Sequence, residues 1–275
     1  MKTLSIITIN KNNASGLEKT IKSVICQTSS DFEFIIIDGA SDDESVDVIK
    51  RYADKIDYWV SEVDTGIYNA MNKGIRKAQG VFCLFLNSGD WLVSPKTLHD
   101  VFLEIENNSS DIFYSDVVKS DKNIIKPPAN ITICSLVSSR INHQNSLIKR
   151  SLFAEHGLYN ENLEICSDHE FFLNECYKYK SVFFHINVKI SIFDTNGVSS
   201  KNKKKYQDED LIVYKNIFGE LAELVIGYRD FRKTIYFDII NNQGNAKLLD
   251  VMLKLYRKIF RSTKKIFPQK YFKST

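Results

Sequence analysis

The stretch Ser61–Asp90, SEVDTGIYNAMNKGIRKAQGVFCLFLNSGD, runs a turn, a helix, a strand and a polar tip together without a break. Glu62-Val63-Asp64-Thr65-Gly66 is a charged turn. From Ile67 to Ala78, apolar residues fall at Ile67, Ala70, Met71, Ile75 and Ala78, the helical period of about 3.6. Gly80 ends that run. Val81–Leu86 is then a near-continuous apolar segment, the pattern of a strand covered on both faces. It stops at Asn87-Ser88-Gly89-Asp90. All four residue types form turns, so a plain turn accounts for them. A carboxylate just past the carboxyl end of a buried strand is also where open α/β sheets bind ligands. The residues by themselves leave both readings open.

Working outward, the same alternation repeats. Leu4–Ile9 is a short apolar strand, and Gly16–Gln27 has helical spacing at Leu17, Ile21, Val24 and Ile25. Phe32–Ile37 is a second buried strand ending at Asp38-Gly39. Ser41-Asp42-Asp43-Glu44 has the composition of a helix start, with the helix continuing over Val46–Tyr52. Ile56–Val60 is a third strand. This order predicts an α/β chain with a parallel sheet and right-handed crossovers. Beyond Asp90, Thr97–Ile105 reads as helix and Asp111–Val118 alternates like one strand. Pro127-Pro128 marks a break. Ser167-Asp168-His169-Glu170 opens a helix, and Val182–Ile186 and Val188–Phe193 read as strands.

Composition narrows the function. The chain has 275 residues and a net charge of +3, and its five cysteines show no CxxC spacing. That argues against zinc and against a disulfide framework, and it fits a reducing cytoplasm. No segment approaches the ~20 apolar residues of a membrane span. Met1-Lys2-Thr3-Leu4 leads straight into a strand, so no signal peptide is expected. From Lys247 onward the charge is almost all basic, opposite an apolar set at Leu248, Val251, Met252, Leu255, Tyr256 and Ile259. A basic amphipathic helix suits a membrane surface, and its apolar face could equally pack on the rest of the chain. No motif supports nucleic-acid binding.

The pattern S-E-x-D-x-G-I-Y-x-A-M-N-K-G-I, followed by F-L-N-S-G-D, resembles the inverting family 2 glycosyltransferases of the GT-A fold. It is most similar to the branch that builds bacterial polysaccharides and O-antigens. The likeness runs from Leu4 to about Gly197. It implies a GT-A (Rossmann-like) nucleotide-diphospho-sugar transferase fold over 1–220, leaving a helical, basic C-terminal extension over 221–275. The implied activity is a hexosyl transfer from a nucleotide sugar, UDP-linked by expectation, to a hydroxyl of a glycan or undecaprenyl-linked saccharide. The implied place is the cytoplasm, with the inner face of the plasma membrane within reach of the tail.

The resemblance also implies roles for single residues. Thr8, Asn10, Asp38, Asp64, Lys73 and Asn87 would bind the nucleotide sugar, Asp38 through the nucleobase. Asp90 would hold a divalent cation, Mg²⁺ or Mn²⁺, whose coordination needs few protein ligands. His143 and Gln144 would line the acceptor or sugar pocket. Asp168 would be the general base. Each residue also has a plainer reading. Asp38 could cap the next helix, Asp64 sit in a turn, Lys73 face solvent, His143 serve structure, and Ser167 or Asp168 cap their own helix.

The sequence departs from its relatives at Lys11, where many carry Tyr, and at Asn69, where Asp is common. It departs again at Asn87 and Gly89, where acids are common, and at Ser167, where Glu is usual. Asn196-Gly197-Val198-Ser199 resembles a family loop, and Lys201–Lys205 is a basic run that is commonly just solvated or could close over a diphosphate. Three rivals stand beside this reading. A sugar-nucleotide pyrophosphorylase would need a Gly-rich basic loop after the first strand. A glycoside hydrolase would need two carboxylates flanking the sugar. A non-catalytic nucleotide-sugar-binding or partner-binding domain would keep the fold without turnover.

Overall fold

The computed structural model describes residues 2–195 and 202–230. Strands β1 (Leu4–Asn10), β2 (Phe32–Asp38), β3 (Tyr58–Ser61) and β4 (Phe82–Phe85) alternate with helices α1 (Ala14–Ile25), α2 (Ser45–Arg51) and α3 (Ile67–Lys77). The four strands are parallel neighbours in the order β4-β1-β2-β3. Every residue of β1 is buried, as expected for a central strand covered on both faces. Leu4, Ile6, Phe34, Ile36, Leu84 and Leu86 form one face with Leu17, Ile21 and Val24 of α1. On the other face α3 comes so close that a Cβ on Gly74 would sit 2.4 Å from Ile7.

The sheet continues through β9 (Ser146–Lys149), β6 (Ile112–Tyr114) and β10 (Phe183–His185), giving the order β10-β6-β9-β4-β1-β2-β3. Here the parallel expectation is corrected, because β9 runs antiparallel to both β4 and β6. Between β6 and β9 the chain passes through two short strands (Val117–Lys119 and Ile124–Ile125) and a short helix (Ile133–Ser138), and a 3-10 segment, His143–Asn145, then leads it into β9. It enters β9 at the edge where β6 ends, so β9 runs back against β6 and β4. The consequence is functional: His143 and Gln144 are left at the same edge as Asn87 and Asp90.

The expected single strand Asp111–Val118 is also corrected. Ser115 donates its N–H to the Asn145 carbonyl at 3.0 Å and the chain bends there. β7 (Val117–Lys119) then joins a smaller sheet with β5 (Trp91–Leu92), β8 (Ile124–Ile125) and β11 (Ser191–Phe193), in the order β5-β11-β7-β8. β11 is shorter than the expected Val188–Phe193, since pairing begins only at Ser191. Helices α4 (Thr97–Glu106), α5 (Ile133–Ser138), α6 (Arg150–His156), α7 (Ser167–Asn174) and α8 (Lys203–Phe218) complete the described chain.

The helix start expected at Ser41–Glu44 is built differently. The Asp43 carboxylate accepts from Ser45 N–H at 2.9 Å and from Ala14 N–H at 2.9 Å, so one acid serves α1 and α2 together. The chain divides into two compact units, Met1–Val213 and a second beginning at Tyr214. In the second, Arg229 lies 5.5 Å from the Tyr214 ring and Tyr214 stands 6.0 Å from Phe218. The Asn196–Ser199 loop, Lys201 and the basic tail from Lys247 lie outside the described residues.

Candidate active site

The tip Asn87–Asp90 is more than a turn. Thr20 of α1 accepts from Gly89 N–H at 3.0 Å and donates to the Asp90 carbonyl at 2.6 Å. Asn13 adds a bond to the Ser88 carbonyl at 3.1 Å. Gly89 has φ +104°, and a Cβ there would lie 3.1 Å from Asp194 Oδ2. Glycine is required twice over, by the backbone and by the approach of Asp194. Asp194 in turn donates its N–H to Asp90 Oδ1 at 2.8 Å. Asp90 is 3 % exposed. Burial pushes its carboxyl up to about 7, against the Asp194 N–H, the His143 imidazole and the Gln144 amide, which favour the charge.

From this tip a chain of hydrogen bonds runs to the first turn of α7. Asn87 Nδ2 lies 3.2 Å from His143 Nε2, and His143 Nδ1 lies 2.7 Å from Asp168 Oδ2. An amide N–H must donate, so Nε2 accepts and Nδ1 carries the proton toward Asp168; the tautomer follows from this network. Asp168 Oδ1 accepts from the Tyr68 hydroxyl at 3.0 Å and from His169 N–H at 2.8 Å. Burial would raise the Asp168 carboxyl, but the His143 hydrogen bond and the positive charge of Arg140 outweigh it and hold it at about 2. A carboxylate has about four lone-pair positions. Three are filled, which leaves one on Oδ2 for an incoming hydroxyl.

A second cluster sits at the ends of β1, β2 and β3. Asp38 is fully buried and takes four donors: Asn10 Nδ2 at 2.7 Å, Ser41 Oγ at 2.6 Å, Ser41 N–H at 2.9 Å and Ser61 Oγ at 2.6 Å. Burial works against its charge, yet these bonds hold the carboxyl below its ordinary value. Asp38 therefore ties three strand ends together. The acceptor left over is Asn10 Oδ1, which is buried and has no hydrogen-bond partner. Asp64 is brought against this turn, since a Cβ on Gly39 would lie 2.3 Å from Asp64 Oδ2. Lys11 holds the same turn through the Gly39 and Ala40 carbonyls at 2.5 and 3.0 Å.

Thus Asn87, Asp90, His143, Gln144 and Asp168 form one cluster, and Asn10, Asp38 and Asp64 form another. Two expected residues join neither. Thr8 is fully buried within β1 and spends its hydroxyl on the Leu86 carbonyl at 2.7 Å. Lys73 spends its ammonium on the Val63 carbonyl at 2.9 Å and Glu62 at 2.8 Å. Three residues that shape the site, Tyr68, Arg140 and Asp194, were given no role by the sequence, although Tyr68 stands in the family-like pattern. A cavity of about 420 Å³ lined by Val93, Thr97, Asp100, Asp116, Asn187 and Lys189 contains none of these site residues.

The donor set at the tip was compared with what a divalent cation requires. Among the described residues no group of three His, Cys, Asp or Glu is placed to hold a metal. The tip does offer oxygen: a desolvated Asp90 carboxylate, Asp194 beside it, and Asn87 Oδ1, buried and unpartnered. Mg²⁺ and Mn²⁺ take oxygen ligands and need few from protein when phosphate and water supply the rest. These residues fit such an ion.

The fold agrees with what the chain is similar to. The model for glycosyl transferase family 2 matches residues 5–167. A PGL/p-HBAD biosynthesis glycosyltransferase of Mycobacterium bovis is 33% identical over 171 residues, covering 61% of this chain and 67% of that one. An uncharacterized glycosyltransferase of Mycobacterium tuberculosis is 32% identical over 206 residues, covering 72% and 77%. Among solved structures, Staphylococcus aureus TarS 1–349 in complex with UDP-GlcNAc superposes with a TM-score of 0.65 at 15% identity, covering 84% of this chain and 72% of that one. Against a longer TarS chain from the same organism the match covers 84% of this chain and 43% of that one. A mannosyltransferase from Pyrobaculum calidifontis, in complex with GDP-Man and Mn²⁺, has a TM-score of 0.62 at 12% identity, covering 95% and 83%. With over half its length matched by the family model and the α/β sheet of these structures, the chain belongs to glycosyl transferase family 2 and is a glycosyltransferase of the GT-A fold.

Proposed function

We propose that the chain moves a sugar from a UDP-linked donor to a hydroxyl of a glycan or undecaprenyl-linked glycan, with inversion, in the synthesis of a bacterial cell-surface polysaccharide such as O-antigen. The observation that carries this reading is the bonded run Asn87–His143–Asp168–Tyr68, which starts at the tip bearing Asp90. It sets an ionised carboxylate and a candidate cation site at one edge of the sheet. The UDP-GlcNAc in the TarS complex supports a UDP-linked donor, and the biosynthetic name of the mycobacterial relative supports a role in building a glycosylated product.

In this mechanism the nucleotide lies over the ends of β1, β2 and β4. Asn10 Oδ1 accepts an imide or amide N–H from the base, while Asp38 keeps the three strand ends in register. Asp64 and Asn87 face the ribose and the donor sugar. A divalent cation held by Asp90, with Asp194 and Asn87 beside it, would supply electrostatic stabilisation of the departing diphosphate. Asp168 offers the open lone pair of Oδ2 to the acceptor hydroxyl and takes its proton as that oxygen attacks. His143 and Tyr68 fix the carboxylate's direction. Gln144 holds Asp90 from the same short turn that carries His143.

No helix among the described residues is long and apolar enough to cross a membrane. The proposal places the chain in the cytoplasm with the extension over 221–275 addressing the inner face of the plasma membrane, on the strength of its basic and apolar faces. The deciding experiment is incubation with a panel of nucleotide sugars, scoring nucleotide release with and without Mn²⁺. Metal-dependent release from a UDP-sugar supports transfer; binding without release supports a non-catalytic domain.

A further inference from the structure

The family model ends at residue 167, one short of Asp168, and α8 lies wholly beyond it. Within the first compact unit α8 nevertheless reaches back to the active site. Glu209 is 5 % exposed, and its carboxylate accepts three consecutive backbone N–H groups: Glu164 at 2.9 Å, Ile165 at 2.8 Å and Cys166 at 3.0 Å. These residues lead into α7. The start of a helix leaves its first N–H groups without partners, and a side chain at the N-cap usually supplies an acceptor. The N-cap here, Cys166, makes no such bond. A carboxylate from another helix organises the entry to α7 instead.

The neighbouring residue makes a second link. Asp210 Oδ1 accepts from Arg140 Nη2 at 2.6 Å, and the Arg140 guanidinium lies 4.1 Å from the Tyr206 ring. Arg140 stands on the loop that leads into His143. The two side-chain partners of Asp168, His143 and Tyr68, are both tied to α8, His143 through the Arg140 loop and Tyr68 through Ile165. Ile165 is held from two sides: its N–H goes to Glu209, and its carbonyl takes the Tyr68 hydroxyl at 2.8 Å. That same hydroxyl is bonded to Asp168. Moving Glu209 moves Ile165, and Ile165 carries the Tyr68–Asp168 contact with it.

We propose that Glu209 and Asp210 are positioning residues of the transfer reaction, holding the approach to α7 and the Arg140 loop so that Asp168 keeps its bonds to His143 and Tyr68. This rests on the reading of Asp168 as the base. Neither residue touches substrate; each acts through the Asp168 carboxylate. A displacement of about 1 Å at a reacting group costs on the order of 10²-fold in rate, which sets the size of effect expected.

The test is a double-mutant cycle in the full chain. Glu209→Gln keeps the side chain's shape but replaces one accepting oxygen with a donor. It is made alone and in an Asp168→Asn background. Nucleotide release is measured with the UDP-sugar that the wild type turns over, and UDP binding by calorimetry. Glu209→Gln is expected to lower release about 10- to 100-fold in the wild-type background and less than about twofold in the Asp168→Asn background, because the residue it serves is gone. UDP affinity should stay within about threefold. Equal factors in both backgrounds, or UDP affinity falling with turnover, would overturn the proposal while leaving the base in place. An Asp168→Asn chain at the wild-type rate would remove the base assignment, and the proposal with it. If Glu209→Gln does not fold by thermal unfolding, Asp210→Asn replaces it in the same cycle. Failure of both to fold would make α8 a folding element only and overturn the proposal.

Discussion

The Tyr68 hydroxyl sits 3.0 Å from Asp168 Oδ1 and 2.8 Å from the Ile165 carbonyl, so one oxygen on α3 fastens the first turn of α7 across 100 residues of sequence. Tyr68 is buried, and burial with the adjacent Asp168 charge pushes its phenol well above the ordinary value. It therefore acts as a fixed donor throughout the working pH range. With His143 on the other oxygen, the carboxylate is gripped from both sides.

Tyr68→Phe tests that grip. The ring stays packed on Tyr159, 5.5 Å away, so the core is preserved. The one hydroxyl proton shared by two buried acceptors is lost, which costs about 1–3 kcal/mol of stability. Turnover should fall about 10-fold, with UDP binding unchanged. Chemical unfolding and steady-state kinetics measure the two quantities. A Phe variant with wild-type turnover would make the contact one of packing alone.

Asp168→Asn removes the charge and leaves the shape. An amide cannot take a proton from a hydroxyl, so nucleotide release in the presence of acceptor should fall about 10²–10⁴-fold. UDP binding, read by calorimetry, should persist, because Asn10 and Asp38 do not bond Asp168 and Asn87 reaches it only through His143. Loss of UDP binding along with turnover would instead assign this helix to the nucleotide pocket.

Much of this was legible in the sequence where one local pattern dictates one structure. The helical period over Ile67–Ala78 and the apolar run ending at Asn87 became α3 and β4 with small shifts at the ends. The polar tip Asn87–Asp90 after a buried strand is a local signal too, but it fits a plain turn as well, and the role proposed for Asp90 comes from the family resemblance. The reversal of β9 was not legible, since direction depends on which edge the chain leaves from, and no residue within Ser146–Lys149 records it. Tyr68 and Glu209 were hidden for the same reason. A Tyr in a helix and a Glu in a charged helix look alike whether or not their tips reach a site 100 or 40 residues away in sequence. Asp38 is a different case. The family resemblance implies a nucleobase contact there; the fold gives it four protein donors and leaves the open acceptor on its partner Asn10.

Asp90→Ala tests the metal end of the site. Losing one electrostatic contact to a charge that develops in the transition state costs roughly 3 to 4 kcal/mol, or about 10²–10³ in rate. EDTA should lower wild-type turnover by a similar factor, and Mn²⁺ or Mg²⁺ should restore it. The variant should remain folded, since the Thr20 bonds that hold the tip go to backbone atoms of Gly89 and Asp90 and survive the change. Full activity in EDTA would sink the assignment.

The last prediction concerns acid. Burial alone would raise Asp168, but its hydrogen bond to His143 and the surrounding positive charge hold it at about 2 when folded, against an ordinary 3.8. A depressed folded value means that the unfolded chain binds more protons as pH drops. The carboxylate therefore contributes its full stabilisation above about pH 4 and loses it as pH falls toward about 2. The shift corresponds to roughly 2 kcal/mol, of which about 1 kcal/mol is gone by pH 3. Asp90 works with the opposite sign, since burial raises it to about 7 and its contribution declines as pH rises through that value. Both the wild type and Asp168→Asn carry Asp90, so its effect cancels in their difference. Urea unfolding of the two chains at pH 5 and pH 3 should show the stability gap narrowing by about 1 kcal/mol toward the lower pH. A gap that stays constant would mean that the Asp168 charge is not held by His143 and Arg140, and that the Asn variant's cost comes from shape alone.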